Sequence, residues 1–375
     1  MFGKRWSLPT GVSQADMQAG LGGMMPAATV RPILSEATAS LPMSATTLRI
    51  GIAGAGHFGR YHALKAAAAE RATLVGIHDL DEERAQTVGW EAGSPHMSLE
   101  ALLPQIDALI IATPADTHHA VAAAALKAGK HVLVEKPIAA TLEQADDLAA
   151  LAAERGLVLQ VGHLERFSSA YRAVAGRTGP PLYIEATRIA PFKPRGTDVS
   201  VILDLMIHDL DLILALVDSP IESVDAVGAA VASLHEDIAN ARIRFVSGAV
   251  ATITASRISA RTERRMRIFA QDSYLGVDFA ARKLTVVGRA PKGGTGQPLP
   301  GIDGFTTQEI AWDDHDSLAH EHLAFVASVL DGAPVLVDAA AGRRALAAAL
   351  AVGAGMAEAR AKMMGSGLIR PAAAS

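Results

Sequence analysis

The chain has 375 residues, of which half are hydrophobic and 19% are charged, and its formal net charge is −5. This length and composition are typical of a two-domain globular protein, and the slight negative charge gives no general attraction to nucleic acid or to an anionic membrane. The chain has no cysteine, which excludes disulfides, thiolate metal ligands and cysteine nucleophiles and favours the cytoplasm. It also has no run of about 18 apolar residues, so we expect no membrane-spanning segment.

Domain boundaries are predicted from changes in composition along the chain. Residues 1–46 are rich in small and polar residues without periodicity, so we predict a flexible N-terminal tail, within which Met43 is an alternative start. We expect a first domain over residues 47–165, a second over 166–365 and a short tail over 366–375.

The first domain opens with a strand that runs directly into a helix through a glycine-rich turn. In "LRIGIAGAGHFG", residues 48–59, the glycines Gly54, Gly56 and Gly59 have the spacing G-x-G-x-x-G. Such glycines allow a tight turn and a close approach of the backbone to a pyrophosphate at the helix N-terminus. The next strand, "ATLVGIHD", ends at Asp79, where a carboxylate accepts hydrogen bonds from ribose hydroxyls and repels a 2′-phosphate. The pattern therefore predicts a dinucleotide site that prefers NAD to NADP.

Strands and helices continue to alternate through the rest of this domain. The stretches "DALIIATP", "HVLVEKP" and "LVLQVGH" are predicted strands, and "DTHHAVAAAALKAG" and "TLEQADDLAALAAERG" are predicted helices. This alternation predicts a doubly wound parallel sheet, the Rossmann architecture, with ligands beyond the carboxyl ends of its strands. His163 falls at that edge. Besides the glycines and Asp79, we assign to the cofactor site His57, Phe58, Thr113, Pro114, His118, Glu135 and Lys136.

The second half of the chain has the texture of an α+β domain. Alternating residues in "LYIEATRIA", "IESVDAVGAAV", "ARIRFVSGAVATITASR", "RRMRIFAQDSYLGVDF" and "KLTVVG" predict strands joined by hairpins, and hence a mainly antiparallel open sheet. The stretch "PKGGTGQPLPGIDG", residues 291–304, is a predicted loop. "HEHLAFVASVL" and "AGRRALAAALAVGAGMAEARA" are predicted closing helices.

The stretch "VILDLMIHDLDLIL", residues 201–214, is apolar almost all round and yet carries charged groups. Asp204, His208 and Asp211 form what we call the polar stripe, because residues i, i+4 and i+7 of a helix lie within about 60° of one another. A buried charge is costly unless it is paired. We therefore expect this helix to line a cleft between the domains, where substrate hydroxyls and Lys136 complete its hydrogen bonding.

The polar stripe has a chemical use beside a nicotinamide. Transfer of a hydride from an alcohol carbon also requires removal of the hydroxyl proton. A histidine titrates near neutral pH, so we expect His208 to take this proton. Lys136 shares this role if burial lowers its pKa, while Asp204 orients the imidazole or the sugar. Three other interpretations stay open: a structural polar network, a zinc or manganese site on the stripe, and a solvent-exposed Lys136. Asp209 faces away from the stripe and receives no role.

These landmarks together resemble the family of glucose–fructose oxidoreductase, inositol dehydrogenase and MocA, over residues 48 to about 360. The motifs that carry the resemblance are "GIAGAGHFG", "ATPADTHHA", "AGKHVLVEKP" and "DLMIHDLD". The resemblance implies NAD(P) in the first domain, no metal, and a homodimer or homotetramer assembled through the C-terminal sheet. It assigns Lys136, Asp204 and His208 to catalysis.

A narrower resemblance, to the UDP-N-acetylglucosamine 3-dehydrogenases, is carried by "VGHLERF", "DVSVILDLMIHDLDLIL" and "DIANARIRFVSGAVATITASR" with "RRMRIF". It implies oxidation of the sugar's C3 hydroxyl to a ketone, which an aminotransferase then converts to an amine for lipid A. A diphosphate needs cationic donors, and we select Arg166 first and Arg195 second. The sugar is assigned to Asp204, His208 and Asp211. Other basic residues of this half are Lys193, Arg257, Arg264, Arg265 and Arg267.

The leading hypothesis is therefore a cytoplasmic NAD-dependent oxidoreductase that oxidises C3 of UDP-N-acetylglucosamine for the synthesis of 3-amino-sugar lipid A. Oxidation of a free cyclitol or simple sugar is the alternative among sugar dehydrogenases, and there the arginines would have no phosphate to bind. A non-catalytic NAD- and sugar-binding regulator and a metal-dependent lyase are alternatives from other classes. We expect no nucleic-acid or membrane partner.

Overall fold

The computed structural model describes residues 47–193, 199–289, 296–313 and 316–369. The predicted N-terminal tail and Arg195 lie outside the described residues, as does the predicted C-terminal tail from residue 370 onwards.

Five parallel strands form the first sheet. They are β1 (Leu48–Ala53), β2 (Ala72–His78), β3 (Ala108–Ile111), β4 (His131–Glu135) and β5 (Leu159–Gly162). The helices between them are α1 (His57–Ala68), α2 (Glu82–Ala92), α3 (Leu99–Leu102), α4 (His118–Lys127) and α5 (Leu142–Arg155). The strand order is β2-β1-β3-β4-β5, and β3 is buried along its whole length, as a parallel strand covered by helices on both faces should be. The predicted Rossmann architecture is confirmed.

The ends of α5 illustrate how local residues set the element bounds. The Thr141 hydroxyl oxygen accepts the backbone N–H of Gln144 at 3.3 Å and so caps the first turn. Gly156 ends the helix with φ +62°, a left-handed conformation that glycine adopts without a Cβ penalty. Both the Thr141 cap and the terminal Gly156 can be predicted from the sequence.

Nine strands form the second sheet. They are β6 (Tyr183–Ile189), β7 (Ile221–Ala229), β8 (Ile238–Phe245), β9 (Val250–Ser256), β10 (Glu263–Phe269), β11 (Ser273–Asp278), β12 (Lys283–Arg289), β13 (Gln297–Pro298) and β14 (Phe305–Ala311). The helices of this half are α6 (Ser169–Val174), α7 (Ile207–Leu216), α8 (Ser317–Asp331) and α9 (Ala339–Gly365). The strand order is β13-β14-β12-β11-β10-β6-β9-β8-β7, and within the described part of this second sheet only β6 and β9 pair in parallel. The prediction of a mainly antiparallel sheet is confirmed.

One edge of this sheet differs from the prediction. The segment 291–304 was predicted to be a loop, but Gln297–Pro298 pairs with β14, and β14 itself was assigned no structure. Residues 291–295 lie outside the described part of the chain. β14 buries none of its side chains fully, so its sequence lacks the strong apolar alternation that marks an inner strand.

The inner strands show why the sheet has a dry face and a polar face. Along β8, Ala241 and Ile243 are buried, whereas Arg242 and Arg244 are exposed. The buried side chains form one core with α7 and α9. Full burial of an isoleucine of this kind contributes about 1.5–3 kcal/mol, so this face fixes the register of the sheet.

The last two helices connect the halves of the molecule. Phe325 and Val326 of α8 pack into the core of the first sheet, and Gly342 of α9 lies so close to Val161 on β5 that a Cβ would come within 2.7 Å of its side chain. α9 also packs against β7 and α7. None of the described helices combines the length and the apolarity that crossing a membrane requires.

Candidate active site

The glycine-rich turn between β1 and α1 leaves open space at one of its three glycines. Gly54 has φ +95°, and a Cβ on Gly59 would lie 1.8 Å from the carbonyl oxygen of Gly54. These two glycines allow the turn and the close packing of helix on strand. A Cβ on Gly56, by contrast, would meet no described atom within 4 Å. Open space beside the N-terminus of a helix suits a pyrophosphate.

Asp79 ties the end of β2 to this turn. Its Oδ2 accepts the N–H of Ala55 at 2.6 Å, and its Oδ1 accepts the N–H of Asp81 at 2.9 Å. A carboxylate has about four acceptor positions, so capacity remains for ribose hydroxyls. The residues present therefore fit NAD, with the pyrophosphate at Gly56 and the adenosine ribose at Asp79.

The other residues predicted to contact the cofactor differ in burial. His57 and Phe58 are exposed at the start of α1, with their rings edge to face and 5.8 Å apart. Thr113 and Pro114 follow the end of β3. His118 is buried, and its ring nitrogens face the carbonyl oxygen of Thr113 at 2.9 Å and a carbonyl oxygen just after β4 at 2.7 Å. His118 therefore holds two strand ends together at the edge where the cofactor is expected.

Lys136 follows β4 and reaches the helix that carries the polar stripe. Its Nζ donates to the backbone carbonyl oxygens of Leu203 at 3.2 Å and Asp204 at 3.0 Å. Burial lowers the pKa of Lys136, while the carboxylates of Asp204 and Glu135 oppose this effect. The interpretation of Lys136 as a solvent-exposed charge is wrong, because the ammonium group lies at the contact between the two halves of the molecule.

The helix of the polar stripe begins with a π-helical turn. Ile202–Met206 is π-helical and continues into α7, where the sequence predicted one regular α-helix. Both carbonyl groups that bind Lys136 belong to this π turn. Such single turns occur frequently at functional sites. The backbone as well as the side chains of this segment therefore contributes to the site.

His208 is a neutral base in this environment. Burial and the positive charges of Lys136 and Arg188 hold the pKa of its imidazole well below the usual value of 6.5. Its Nδ1 is buried and has no hydrogen-bond partner in the described part of the chain. A neutral imidazole with an unpaired nitrogen can accept a proton at neutral pH.

Asp209, which received no role from the sequence, anchors a buried arginine. Arg188 on β6 donates from Nε to Oδ2 of Asp209 at 2.8 Å and from Nη2 to Oδ1 at 2.9 Å. Arg188 also donates to Glu165 at 3.1 Å, and Arg264 on β10 donates to the same carboxylate oxygen. This network fixes α7 on the second sheet and brings positive charge close to His208.

Arg188 and His163 are site residues to which sequence analysis assigned no function. Arg188 follows Ile184 and Ala186 on the inward-facing positions of β6, and an arginine in such a series signals a buried partner. His163 directly follows β5 at the carboxyl edge of the first sheet, and this position was the sequence signal that could have assigned it to the site. It is 1% exposed, and burial lowers the pKa of its imidazole while Asp211 opposes this.

Asp211 and Arg166 form a second polar layer beside His163. Nη1 of Arg166 donates to Oδ1 of Asp211 at 3.4 Å, and the guanidinium lies over the ring of Tyr171 at 4.9 Å. Burial raises the pKa of Asp211, and the neighbouring His163 and Arg166 oppose that rise. Arg166, predicted at a diphosphate, is thus buried and paired with a residue of the polar stripe. Arg195, its predicted companion, lies outside the described residues.

Five buried polar atoms of this region lack a hydrogen-bond partner in the part of the chain that the structure describes. They are Nδ1 of His208, both ring nitrogens of His163, Oδ2 of Asp211 and Nε of Arg166. Each such atom costs about 1–3 kcal/mol. A purely structural network would pair these atoms, so their concentration indicates that a polar ligand completes the site.

A second cluster of titratable side chains lies at the end of β4, on the side to which Glu135 points and Lys136 does not. Its members, which we call the sealed cluster, are His62, Glu135, Glu321 and His322. Nε2 of His62 faces Oε1 of Glu135 at 2.9 Å, and its Nδ1 faces Nε2 of His322 at 2.9 Å. The potential metal-ligand atoms of His62, Glu135 and Glu321 lie within 4.8 Å of one another, whereas the described atoms of the polar stripe form no such group. Burial and the Glu135 charge raise the pKa of Glu321 well above 4.5, so a proton on Glu321 removes the repulsion between the two carboxyl groups.

Oxidation of an alcohol by NAD requires a proton acceptor beside the nicotinamide, and the carboxyl edge of the first sheet carries residues that fit the dinucleotide close to a neutral histidine. The protein is thus an NAD-dependent oxidoreductase that acts on CH–OH groups. Two family models match it: an oxidoreductase family with an NAD-binding Rossmann fold over residues 48–163, and the GFO/IDH/MocA C-terminal domain over residues 170–275. The chain belongs to the Gfo/Idh/MocA family, as its motifs predicted.

Individual relatives agree with this assignment. The chain is 44% identical over 308 residues to UDP-N-acetylglucosamine 3-dehydrogenase from Acidithiobacillus ferrooxidans, covering 81% of this chain and 96% of that protein. A solved structure of that enzyme superposes with a TM-score of 0.76 at 42% identity, over 82% and 97% of the two chains. The fold is also that of scyllo-inositol dehydrogenase from Lactobacillus casei, solved with NAD(H) and scyllo-inositol, at 23% identity, TM-score 0.69 and coverage of 84% and 98%.

Proposed function

We propose that this protein oxidises the C3 hydroxyl of UDP-N-acetylglucosamine to a ketone with NAD as the hydride acceptor. The observation that carries the proposal is the concentration of unpartnered buried polar atoms around His208. An N-acetylated sugar offers hydroxyl and amide groups in the number needed to pair with them. The similarity to UDP-N-acetylglucosamine 3-dehydrogenase over nearly its whole length supports the same substrate.

In this proposal His208 is the general base. Its neutral imidazole takes the proton of the C3 hydroxyl while the C3–H bond gives up a hydride. NAD, when bound, accepts that hydride on its nicotinamide ring. The sugar thus loses two electrons and two hydrogens, one as hydride and one as the proton on His208. Lys136 donates a hydrogen bond to the reacting oxygen, and Asp204 orients the sugar.

The second polar layer holds the remainder of the sugar. Oδ2 of Asp211 accepts a hydroxyl or amide proton, and His163 binds a neighbouring group through a ring nitrogen. Arg166 acts through Asp211, because their ion pair holds the carboxylate in place. We therefore propose Arg166 as a positioning residue for the sugar, with phosphate binding assigned elsewhere.

The experiment is a substrate panel monitored by NADH absorbance at about 340 nm. We expect reduction of NAD with UDP-N-acetylglucosamine, and much less with N-acetylglucosamine or myo-inositol at equal concentration. Mass spectrometry of the product should find a loss of two hydrogens, and reduction with borodeuteride should return deuterium to C3. Turnover of inositol alone would replace this proposal with cyclitol oxidation, and NAD binding without turnover of any sugar would favour a regulator.

The setting of the reaction follows from its product. A 3-keto amino sugar is a substrate for an aminotransferase, and the resulting amine would be used for the synthesis of 3-amino-sugar lipid A. We place this oxidation in the cytoplasm. We also propose a homodimer or homotetramer assembled on the polar face of the second sheet, where Arg242 and Arg244 are exposed. Light scattering of the purified protein measures that state, and a monomer would contradict it.

A further inference from the structure

Arg264 differs from its neighbour Arg188 in how fully its guanidinium is used. The two arginines face each other across β10 and β6, and both donate to Glu165. Arg188 also has a bidentate contact with Asp209 and is 5% exposed. The side chain of Arg264 is 38% exposed, and its Nε is buried without a partner among the described residues. An arginine held by one carboxylate, with further donors left over, is suited to bind an anion.

The surroundings of Arg264 connect the catalytic centre to open space. Arg264 contributes to the low pKa of His208, so its charge acts on the proton acceptor. On its other side lies a cavity of about 150 Å³ whose lining includes Arg261, Thr262 and Arg265 together with the carboxylates of Glu263 and Asp278. Arg265 is paired with Asp278 at 2.9 Å, and Arg261 is paired with Glu263 at 2.8 Å. Among these three arginines, the buried donor without a partner in the described part of the chain is therefore on Arg264.

The chain topology adds a further cation at the same end of the sheet. Glu263 at the start of β10 pairs with Ile189 at the end of β6, so the residues beyond β6 and those before β10 lie together. Lys193, four residues beyond β6, is exposed there, and Arg261 is 77% exposed. The segment that leads into α7 also begins at this end of the sheet. The backbone carbonyl of Val199 accepts a hydrogen bond from Arg257, which directly follows β9.

We propose that Arg264, supported by Arg261, binds the diphosphate of the nucleotide-sugar substrate. This inference rests on the proposed function and assigns to Arg264 the selection of nucleotide-linked over free sugars. The guanidinium offers its Nε and Nη donors to two phosphate oxygens while Glu165 holds its far side. The sugar then extends from Arg264 towards His208, and the nucleoside lies on the side of the cavity and Arg261.

The test compares inhibition by UDP, which carries the diphosphate without a reactive sugar, in matched variants. Arg264→Met should raise the UDP inhibition constant and the KM for UDP-N-acetylglucosamine about 10–100-fold, the scale of lost charge-assisted hydrogen bonds, with kcat changed only a few-fold. Arg264→Lys should recover part of the loss. Arg343→Met is the control, since Arg343 is an exposed arginine of α9 that pairs with Asp146 on α5, outside the second sheet.

Two outcomes separate this inference from the function on which it rests. If the wild-type enzyme oxidises UDP-N-acetylglucosamine and UDP inhibits Arg264→Met as strongly as wild type, the diphosphate subsite is wrong and the function stands. If no nucleotide sugar is oxidised or bound by the wild type, both fail. Should Arg264→Met fold poorly, Arg264→Lys and the exposed Arg261→Met decide, and unchanged UDP inhibition in both overturns the proposal. In every variant used to support the proposal, NADH binding monitored by fluorescence should equal that of the wild type.

Discussion

Glu135 and Lys136 are neighbours in the chain, but they face two different buried polar regions. Glu135 points into the sealed cluster, where His62 and Glu321 are 0% exposed and His322 is 2% exposed. Lys136 points to the catalytic region, where Asp204 and His208 are half-buried, although His163 and Asp211 beside them are 1% and 2% exposed. Unpartnered polar atoms occur in both regions within the described residues, including both carboxylate oxygens of Glu321. An unpaired polar atom therefore indicates a ligand site only where the ligand can also enter.

Charge separates the two regions further. In the sealed cluster the imidazoles link Glu135 to α8, and a proton on Glu321 removes its repulsion with Glu135. In the catalytic region Lys136 and Arg188 hold His208 in its neutral form. The first arrangement stabilises the contact between α1, β4 and α8, whereas the second prepares a base.

The sharpest test of this contrast is the loss of the general base. His208→Asn should lower kcat by about 10²–10⁴-fold, the usual contribution of a positioned base, with little change in thermal stability. His119→Asn is the matched control, because His119 is a surface residue paired with Asp147 on α5. Steady-state NADH formation measures both. Full activity of His208→Asn would remove His208 from the mechanism and with it the proposed role of the polar stripe.

In the sealed cluster the larger effect should be on stability. His62→Ala removes the imidazole that faces the buried Glu135 carboxylate. Loss of a hydrogen bond to a charged group typically costs about 1.5–3 kcal/mol, so we expect a clear fall in the urea midpoint. Arg343→Met breaks an exposed ion pair with Asp146 and should unfold at the wild-type urea concentration. Equal midpoints for the two variants would mean that the buried pair contributes no more than a surface pair.

Local sequence signals made the cofactor-binding residues of the first domain predictable. The three glycines, Asp79 and the capped helix ends each depend on residues within a few positions of one another, and the structure reproduces them. The i, i+4 spacing likewise found Asp204 and His208 without tertiary information.

The rest depends on contacts between distant segments. The π turn at Ile202–Met206 has no marker in an apolar run, yet its carbonyl groups receive Lys136 from a strand end 67 residues earlier. Asp209 looked idle because its partner, Arg188, is on another element. Arg166 looked like an anion-binding residue because the sequence could not reveal that Asp211 already occupies it.

Glu321 allows a pH test of the claim that a proton on its carboxyl group stabilises the sealed cluster. Because the folded pKa of Glu321 is raised above 4.5, the folded state binds the extra proton, and its contribution to stability is lost as pH rises through the folded pKa. Glu321→Gln, which stays neutral, should therefore gain stability relative to wild type from acidic to alkaline pH. Urea unfolding across that range measures the difference. A difference independent of pH would mean that the pKa of Glu321 is the same in the folded and unfolded protein, and a loss of relative stability with rising pH would mean that its folded pKa is lowered.

The smallest expected effect is a shift in the pKa of His208. After burial, Lys136 is the largest cause that lowers this pKa, so Lys136→Met should raise it towards 6.5. A histidine with a lowered folded pKa stays neutral to more acidic pH, so the wild-type acid limb of kcat/KM should lie below that of the variant. NMR titration of the His208 imidazole, identified by its absence in His208→Asn, measures the same shift without turnover. An unchanged pKa would mean that the Lys136 ammonium does not act on His208, and then the neutral base would owe its state to burial and to charges such as Arg188 and Arg264.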